Sequence, residues 1–364
     1  MRVGIDGRKI PQATLRGPLG SLDHARELGM AGVFFRTVLD MSPTLDLGEL
    51  REIRARADEL GLYLESGLGK VNPYAMAEAP ELRQVGDGDT LLGFRRMMAA
   101  CAEIGCLELW AGTANYKPYS GRFAYDRFRT DVSWPDQLTA TEMFLGKLAP
   151  IARDHGVHIN LETHEEITSF EVVRLVEAVG PDAIGIVFDT SNLLQRGEHP
   201  VRTARRVAPY VRQTHLKDAA LGFVSGGVAY QERPVGQGVV DFAEILPMLA
   251  AANPALHLTI ENAQPWDEVA VTYPTFSAEL IPLRGYTVVE VFDPLWLDGH
   301  PDMTVAELSA YLQLVSQSHD RISAGALASF EACAPATFGF DEAIEAVRSS
   351  TSYLHGLLAE LGVA

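Results

Sequence analysis

The chain has 364 residues, 47% of them hydrophobic, and a formal net charge of −18 at pH 7. That charge argues against non-specific binding of nucleic-acid phosphates, and no apolar run approaches the roughly 18 residues of a membrane span. Cys101, Cys106 and Cys333 are too few and too scattered for a disulfide framework or a thiolate metal site. The opening MRVGIDGRKI goes straight into a strand-like pattern without a basic-then-apolar leader, so the expectation is a cytoplasmic, reduced protein.

In chain order, the first unit is a strand over Met1–Asp6, a loop with Arg8 and Lys9, and a helix near Leu22–Leu28. Gly32–Thr37 is the second strand, followed by a helix over Leu47–Leu60 that is rich in strong helix formers and stops at Gly61. Leu62–Gly67 is the third strand; a loop and a helix ending near Ile104 lead to the fourth, Cys106–Gly112. From Thr113 to Pro135 the chain has no helical period and carries Tyr116, Tyr119, Phe123, Tyr125, Phe128 and Trp134. So long a loop is more often functional than filler, and it reads either as a lid or as aromatics packed on a rim.

A helix over Gln137–His155 precedes strands five to seven: Val157–His164, Ala183–Asn192 and Val211–Asp218. After Asp218 a glycine-rich loop, GFVSGGVAYQERPVGQG, runs to a helix over Asp241–Ala252 and strand eight, Leu256–Asn262. Short apolar runs alternating with helical patterns are the mark of βαβ units, and eight such units close into a (β/α)8 TIM barrel. The expected class is therefore α/β, with long loops after strands four and seven. The expected organisation is one domain over 1–364, with a barrel core to about residue 264 and a C-terminal extension over 265–364. In that extension Tyr286–Leu297 reads as an extra strand or buried extended segment. Thr304–Ser316 and Asp341–Leu361 read as helices, one of them helix eight.

The strand ends carry the chemistry. Glu162, Asp189, His215 and Glu261 follow four successive apolar runs, each one strand–helix unit apart, with the last interval lengthened by the glycine-rich insertion. Polar residues at strand C-termini converge above the mouth of such a barrel, so these four are the expected ligands of one metal ion. Imidazole plus carboxylates without thiolate leaves Mn²⁺, Co²⁺, Mg²⁺, Zn²⁺ and Fe²⁺ open. Bland alternatives make the glutamates rim carboxylates and His215 a rim hydrogen-bonder.

A divalent ion polarises a sugar carbonyl while a nearby group takes an α-proton. Glu162 and Glu261 are candidates for that group. His164, two residues past Glu162 and on the same side of an extended strand, is another, against a mere rim histidine. Lys217 is a candidate oxyanion stabiliser, against a salt bridge to a neighbour such as Asp218. Trp110 and Trp266 can stack on a sugar ring or pack in the core; Arg233, Glu65 and Arg36 are candidates for lining the mouth, and Arg233 for reaching a substrate oxygen or phosphate.

The order Glu, Asp, His, Glu with the fragments LETH, FDTSN and HLKD resembles the xylose isomerase-like TIM barrels over about Met1–Gln264. The resemblance implies one Mn²⁺ or Co²⁺, with Mn²⁺ the first choice, and proton exchange by the first and last glutamates, as in ketose epimerases of that group. The chain departs from the pattern after Asp189, where Thr190, Ser191 and Asn192 stand in place of a histidine common in relatives. His199 falls in the next loop, and too few histidines are present for the three-metal cluster of the related repair endonucleases. The expected activity is a metal-dependent sugar isomerase or epimerase. The alternatives are a lyase acting on 3-oxo-glycosides by β-elimination, or a barrel that has lost catalysis. The lyase reading rests on the long loop, the extension and a GIDGRKIP opening similar to C-glycoside deglycosidase catalytic subunits. Expected partners are a carbohydrate or glycoside substrate and further subunits, either copies of the chain or a small second subunit, with neither nucleic acid nor membrane.

Overall fold

Seven apolar runs form consecutive strands: β1 (Val3–Asp6), β2 (Gly32–Phe34), β3 (Tyr63–Lys70), β4 (Glu108–Gly112), β5 (His158–Glu162), β6 (Ile184–Asp189) and β7 (Val211–Leu216). A hairpin of β8 (Asp218–Val224) and β9 (Gly227–Arg233) follows, and β10 (Leu258–Ile260) then closes the barrel between β7 and β1. All neighbours in the closed barrel run parallel. The (β/α)8 fold expected from the sequence is the fold observed. The computed structural model of the chain describes residues 1–114, 117, 121–261, 286–333 and 340–363. Tyr116, Tyr119, Asn262 and Trp266 lie outside these residues.

Local signals set the helices between strands. Asp46 accepts from Glu49 N to start Leu47–Leu60, which ends where Gly61 takes φ 67°. Thr168 and Glu171 form a reciprocal capping box at the start of Ser169–Val179. The main core lies between strands and helices, and includes Ile5, Leu64, Leu109, Ile159 and Ile186.

Inside the barrel, Phe34, Trp110 and Val187 form a separate apolar cluster. They come from β2, β4 and β6, which are not neighbours, so they meet across the bore. Deeper in, the bore is polar: Asn160 Nδ2 donates to Gln213 Oε1 and Glu108 Oε2, each at 3.1 Å. The Tyr63 side chain fills the space that Gly4 and Gly32 leave, since a Cβ at Gly32 would stand 2.2 Å from its ring and one at Gly4 2.2 Å from its hydroxyl.

The segment following Asp218 is not a loop: β8 and β9 pair antiparallel around a turn at Gly226 (φ 94°). The Ser-Gly pair between two runs of strand-forming residues is a hairpin signal. A third strand, β11 (Thr287–Val289), adds to β9 within the segment read as extended. Phe340–Leu361 is the eighth helix, burying Val347, Leu354 and Leu358 beside β1 and β10. The other candidate, Val305–Ser323, packs on β8, where Leu221 N donates to Ser318 Oγ at 3.0 Å.

Candidate metal centre

Four strand ends bring Glu162, Asp189, His215 and Glu261 together. Asp189 on β6 is in register with His215 on β7, which is in register with Thr259, two residues before Glu261. All four side chains are buried, and one ligand atom from each lies within 4.8 Å of every other. Ligands about 2.0–2.3 Å from one ion stand up to roughly 4.6 Å apart, so the spacing suits a single cation. His215 Nδ1 faces Glu162 Oε1 at 2.9 Å and Glu261 Oε2 at 3.2 Å. Asp189 Oδ1 accepts from the backbone of Ser191 and Asn192, which turns Oδ2 toward the cluster.

The electrostatics fit a cation. Asp189 Oδ2 and Glu261 Oε2 are buried and accept no well-directed hydrogen bond, although Lys217 Nζ lies 3.2 and 3.3 Å from them. Burial opposes the charge on Glu261, but Lys217, Arg36 and His215 outweigh it and hold the carboxyl well below its usual range. Burial pushes Asp189 up to about 6 despite Lys217. Burial also disfavours a charged His215, yet Glu162 and Glu261 drive it up to about 10, because two carboxylates against one imidazole demand positive charge. A divalent ion would meet that demand, and Glu162, Asp189, His215 and Glu261 would offer it an oxygen-rich, thiolate-free donor set.

Neighbouring groups hold these four side chains. Trp110 Nε1 donates to Glu162 Oε2 at 2.8 Å, and the Trp110 ring has Arg36 at 5.5 Å and Lys70 at 5.2 Å from its centroid. Arg36 Nη2 reaches Asp6 at 3.0 Å and Glu261 at 2.5 Å. Lys217 belongs to the centre: its ammonium pairs with Asp189 and Glu261, not with Asp218, whose carboxylate accepts from four backbone amides instead.

His164 stands beside the four. Its Nδ1 is 2.5 Å from Glu166 Oε2, while Nε2 lies 3.0 Å from Glu165 and 3.9 Å from Glu162 Oε2. Burial works against its charge, but Glu165, Glu166 and Glu162 carry it up to about 9.

Two other sequence candidates sit elsewhere. Glu65 lies inside the bore below the mouth, where Thr259 Oγ1 donates to it at 3.3 Å. Arg233, at the end of β9, donates to Cys333 Sγ at 2.7 Å and to the carbonyls of Ala328 and Ser329, tying the C-terminal extension to the hairpin.

Of the segment after β4, residues 121–133 reach the loops that follow β5 and β6, on the same face as the four carboxylate and imidazole groups. Tyr125 donates to Gln195 in the β6 loop at 2.6 Å, and Arg127 pairs with Glu171 at 2.7 Å. Trp134 opens the helix Trp134–His155 and is buried.

Asp6, Lys70, Thr113, Glu166 and Asn192 border the centre without having been singled out from the sequence. For Lys70 the signal was obscured because β3 continues past Gly67 through a register shift between Gly67 and Gly69.

Comparison with known proteins places this arrangement in a family. The chain is 24% identical over 262 residues to the 3-oxo-isoapionate decarboxylase of Pectobacterium atrosepticum, covering 70% of this chain and 81% of that protein. It spans only 30% to 45% of the length of other curated relatives that it matches. Among solved structures, a D-psicose 3-epimerase with D-fructose superposes with a TM-score of 0.60 at 16% identity, covering 98% of this chain and 99% of that one. The 3-keto-D-glucoside 4-epimerase YcjR of E. coli gives 0.54 at 16% identity, over 75% and 96%. The family model for the xylose isomerase-like TIM barrel matches residues 22–273, and the chain belongs to that family.

Proposed function

We propose that the chain is a divalent-metal-dependent enzyme that removes a proton α to the carbonyl of a sugar derivative, with Mn²⁺ as the first choice of ion. The observation that carries this reading is the buried Glu162–Asp189–His215–Glu261 cluster with His164 Nε2 3.9 Å from one of its ligands. When bound, the ion acts as a Lewis acid that polarises the carbonyl and offsets enolate charge.

The side chains divide the remaining work. Glu166 holds Nδ1 of His164, and Nε2, 3.0 Å from Glu165 and 3.9 Å from Glu162, is the nitrogen that exchanges the α-proton once Glu165 or Glu162 has taken its own. Glu162 and Glu261 are the other carboxylates within reach of a sugar there, and Lys217 supplies positive charge for a developing oxyanion. Return of the proton to the other face of the same carbon gives an epimer; return at the neighbouring carbon gives an isomer. Loss of a β-substituent in place of reprotonation gives elimination. The 24% identity to a 3-oxo-isoapionate decarboxylase supports a 3-oxo sugar as one candidate substrate beside free ketoses. On this reading the part of the segment after β4 anchored through Tyr125 and Arg127 forms one wall of the pocket.

The test is incubation with Mn²⁺ in deuterium oxide and a panel of 3-oxo-glycosides beside free ketoses, followed by mass analysis. Deuterium should enter α to the carbonyl of at least one of these sugars. Absence of exchange in every sugar, with metal fully loaded, would sink the reading.

A further inference from the structure

The amine of Lys70 has no part in the chemistry above, yet it stands at the same mouth. Lys70 is the last residue of β3 and is paired in register with Gly112, the last of β4. A Cβ on Gly112 would meet its Nζ at 2.7 Å, so the bare backbone there lets the ammonium lie across the end of β4. The residue is 8% exposed, and its Nζ sits 5.2 Å from the centroid of Trp110, the ring that holds Glu162.

Among the described residues, no carboxylate lies within ion-pair distance of that ammonium and no acceptor receives a hydrogen bond from it. Arg36 and Lys217, the other cations of the mouth, are both ion-paired. An ammonium carries three donors, and that of Lys70, on a side chain otherwise enclosed, is left to turn them toward the mouth. Burial accordingly lowers its proton affinity, with Glu166 and Glu162 acting against that and Arg36 adding to it.

We propose that Lys70 is a substrate-binding residue that donates to a neutral oxygen, a hydroxyl or carbonyl, on the part of the sugar away from the metal ligands. The charges around it choose the class of ligand. Glu162, Glu165 and Glu166 are the acids whose fields reach Lys70. A carboxylate or phosphate brought to the ammonium would face all three, whereas a sugar hydroxyl would not. The subsite rests on the reading that a sugar binds at this centre.

The experiment uses the full chain loaded with Mn²⁺, titrated calorimetrically with methyl 3-oxo-glucoside and with its anionic uronate counterpart. Lys70→Met should weaken the neutral sugar about 10–100-fold, the range for loss of a charged hydrogen bond, with metal content unchanged and partial recovery in Lys70→Arg. Equal affinity in wild type and Lys70→Met overturns the assignment of Lys70 alone; no binding by the loaded wild type overturns the functional reading as well. Tighter, Lys70-dependent binding of the uronate overturns the neutral-oxygen class. Should Lys70→Met not fold, acetylation of Lys70 in the wild type, followed by mass spectrometry, replaces it. Methyl 3-oxo-glucoside should protect the amine, and equal labelling with and without the sugar overturns the proposal.

Discussion

Trp110 donates its indole N–H to Glu162 Oε2 at 2.8 Å, so the glutamate that ends β5 is held in place by a side chain from the adjacent strand β4. The Phe34 ring, 6.5 Å from Trp110 and 4.8 Å from His215, packs between that tryptophan and the histidine of the centre. The apolar floor under the mouth thus touches two of the four candidate ligands.

Trp110→Phe keeps much of the ring and removes the donor. Partners of this kind are worth about 10–100-fold in metal affinity or activity, and the variant should show a loss of that size in Mn²⁺ affinity by equilibrium dialysis. Unchanged affinity would mean that Glu162 is oriented without the indole.

Asp189→Ala removes one of four candidate ligands and leaves Lys217 facing Glu261. Metal occupancy and turnover should fall together, because three remaining donors hold the ion poorly. Elemental analysis after gel filtration is the check, and full occupancy would exclude Asp189 from the ligand set.

On the proposed function Glu166 positions His164, and Thr113 donates to Glu166 in turn. Glu166→Gln keeps an acceptor opposite Nδ1, whereas Glu166→Leu does not. The leucine variant should lose kcat about 100-fold or more, the usual weight of acid–base assistance, with bound metal unchanged; the glutamine variant should recover part of it. Equal kcat in the two variants would argue against this orienting contact.

Glu65 provides a pH test of stability. Burial raises its carboxyl from 4.5 to about 7, with the field of His215 and the Thr259 hydrogen bond opposing. Between those values the folded chain binds more protons than the unfolded one, so this group makes stability fall as pH rises from 4.5 to 7. Glu65→Gln carries no such proton. Its melting temperature should exceed that of wild type most above pH 7, and the difference should shrink toward pH 4.5. A gap independent of pH would show that Glu65 does not titrate there.

Much of the centre is legible in the linear sequence because it obeys a local rule. A strand of a parallel barrel is an apolar run, and the polar residue that ends it stands at the mouth. Glu162, Asp189, His215 and Glu261 each end such a run, so their convergence follows from the repeat of strand and helix alone. The helix stops at Gly61 and Gly156 are equally local, resting on glycine's freedom to take positive φ.

Pairings between distant residues were settled only by folding. Lys217 and Asp218 are adjacent in sequence, yet successive side chains of an extended chain point to opposite faces. The lysine therefore enters the centre, and the aspartate turns to the amides of Ala219, Gly236, Gly238 and Val240. Trp110 reaches Glu162, and Glu166 reaches His164 with Thr113 behind it, through strand neighbours and loops whose register no single segment encodes. Lys70 comes to the mouth because β3 absorbs a register shift between Gly67 and Gly69, a property of how two strands pair. Residue type and period tell which side chains arrive at a surface; the partner each one meets there depends on the packing of the whole barrel.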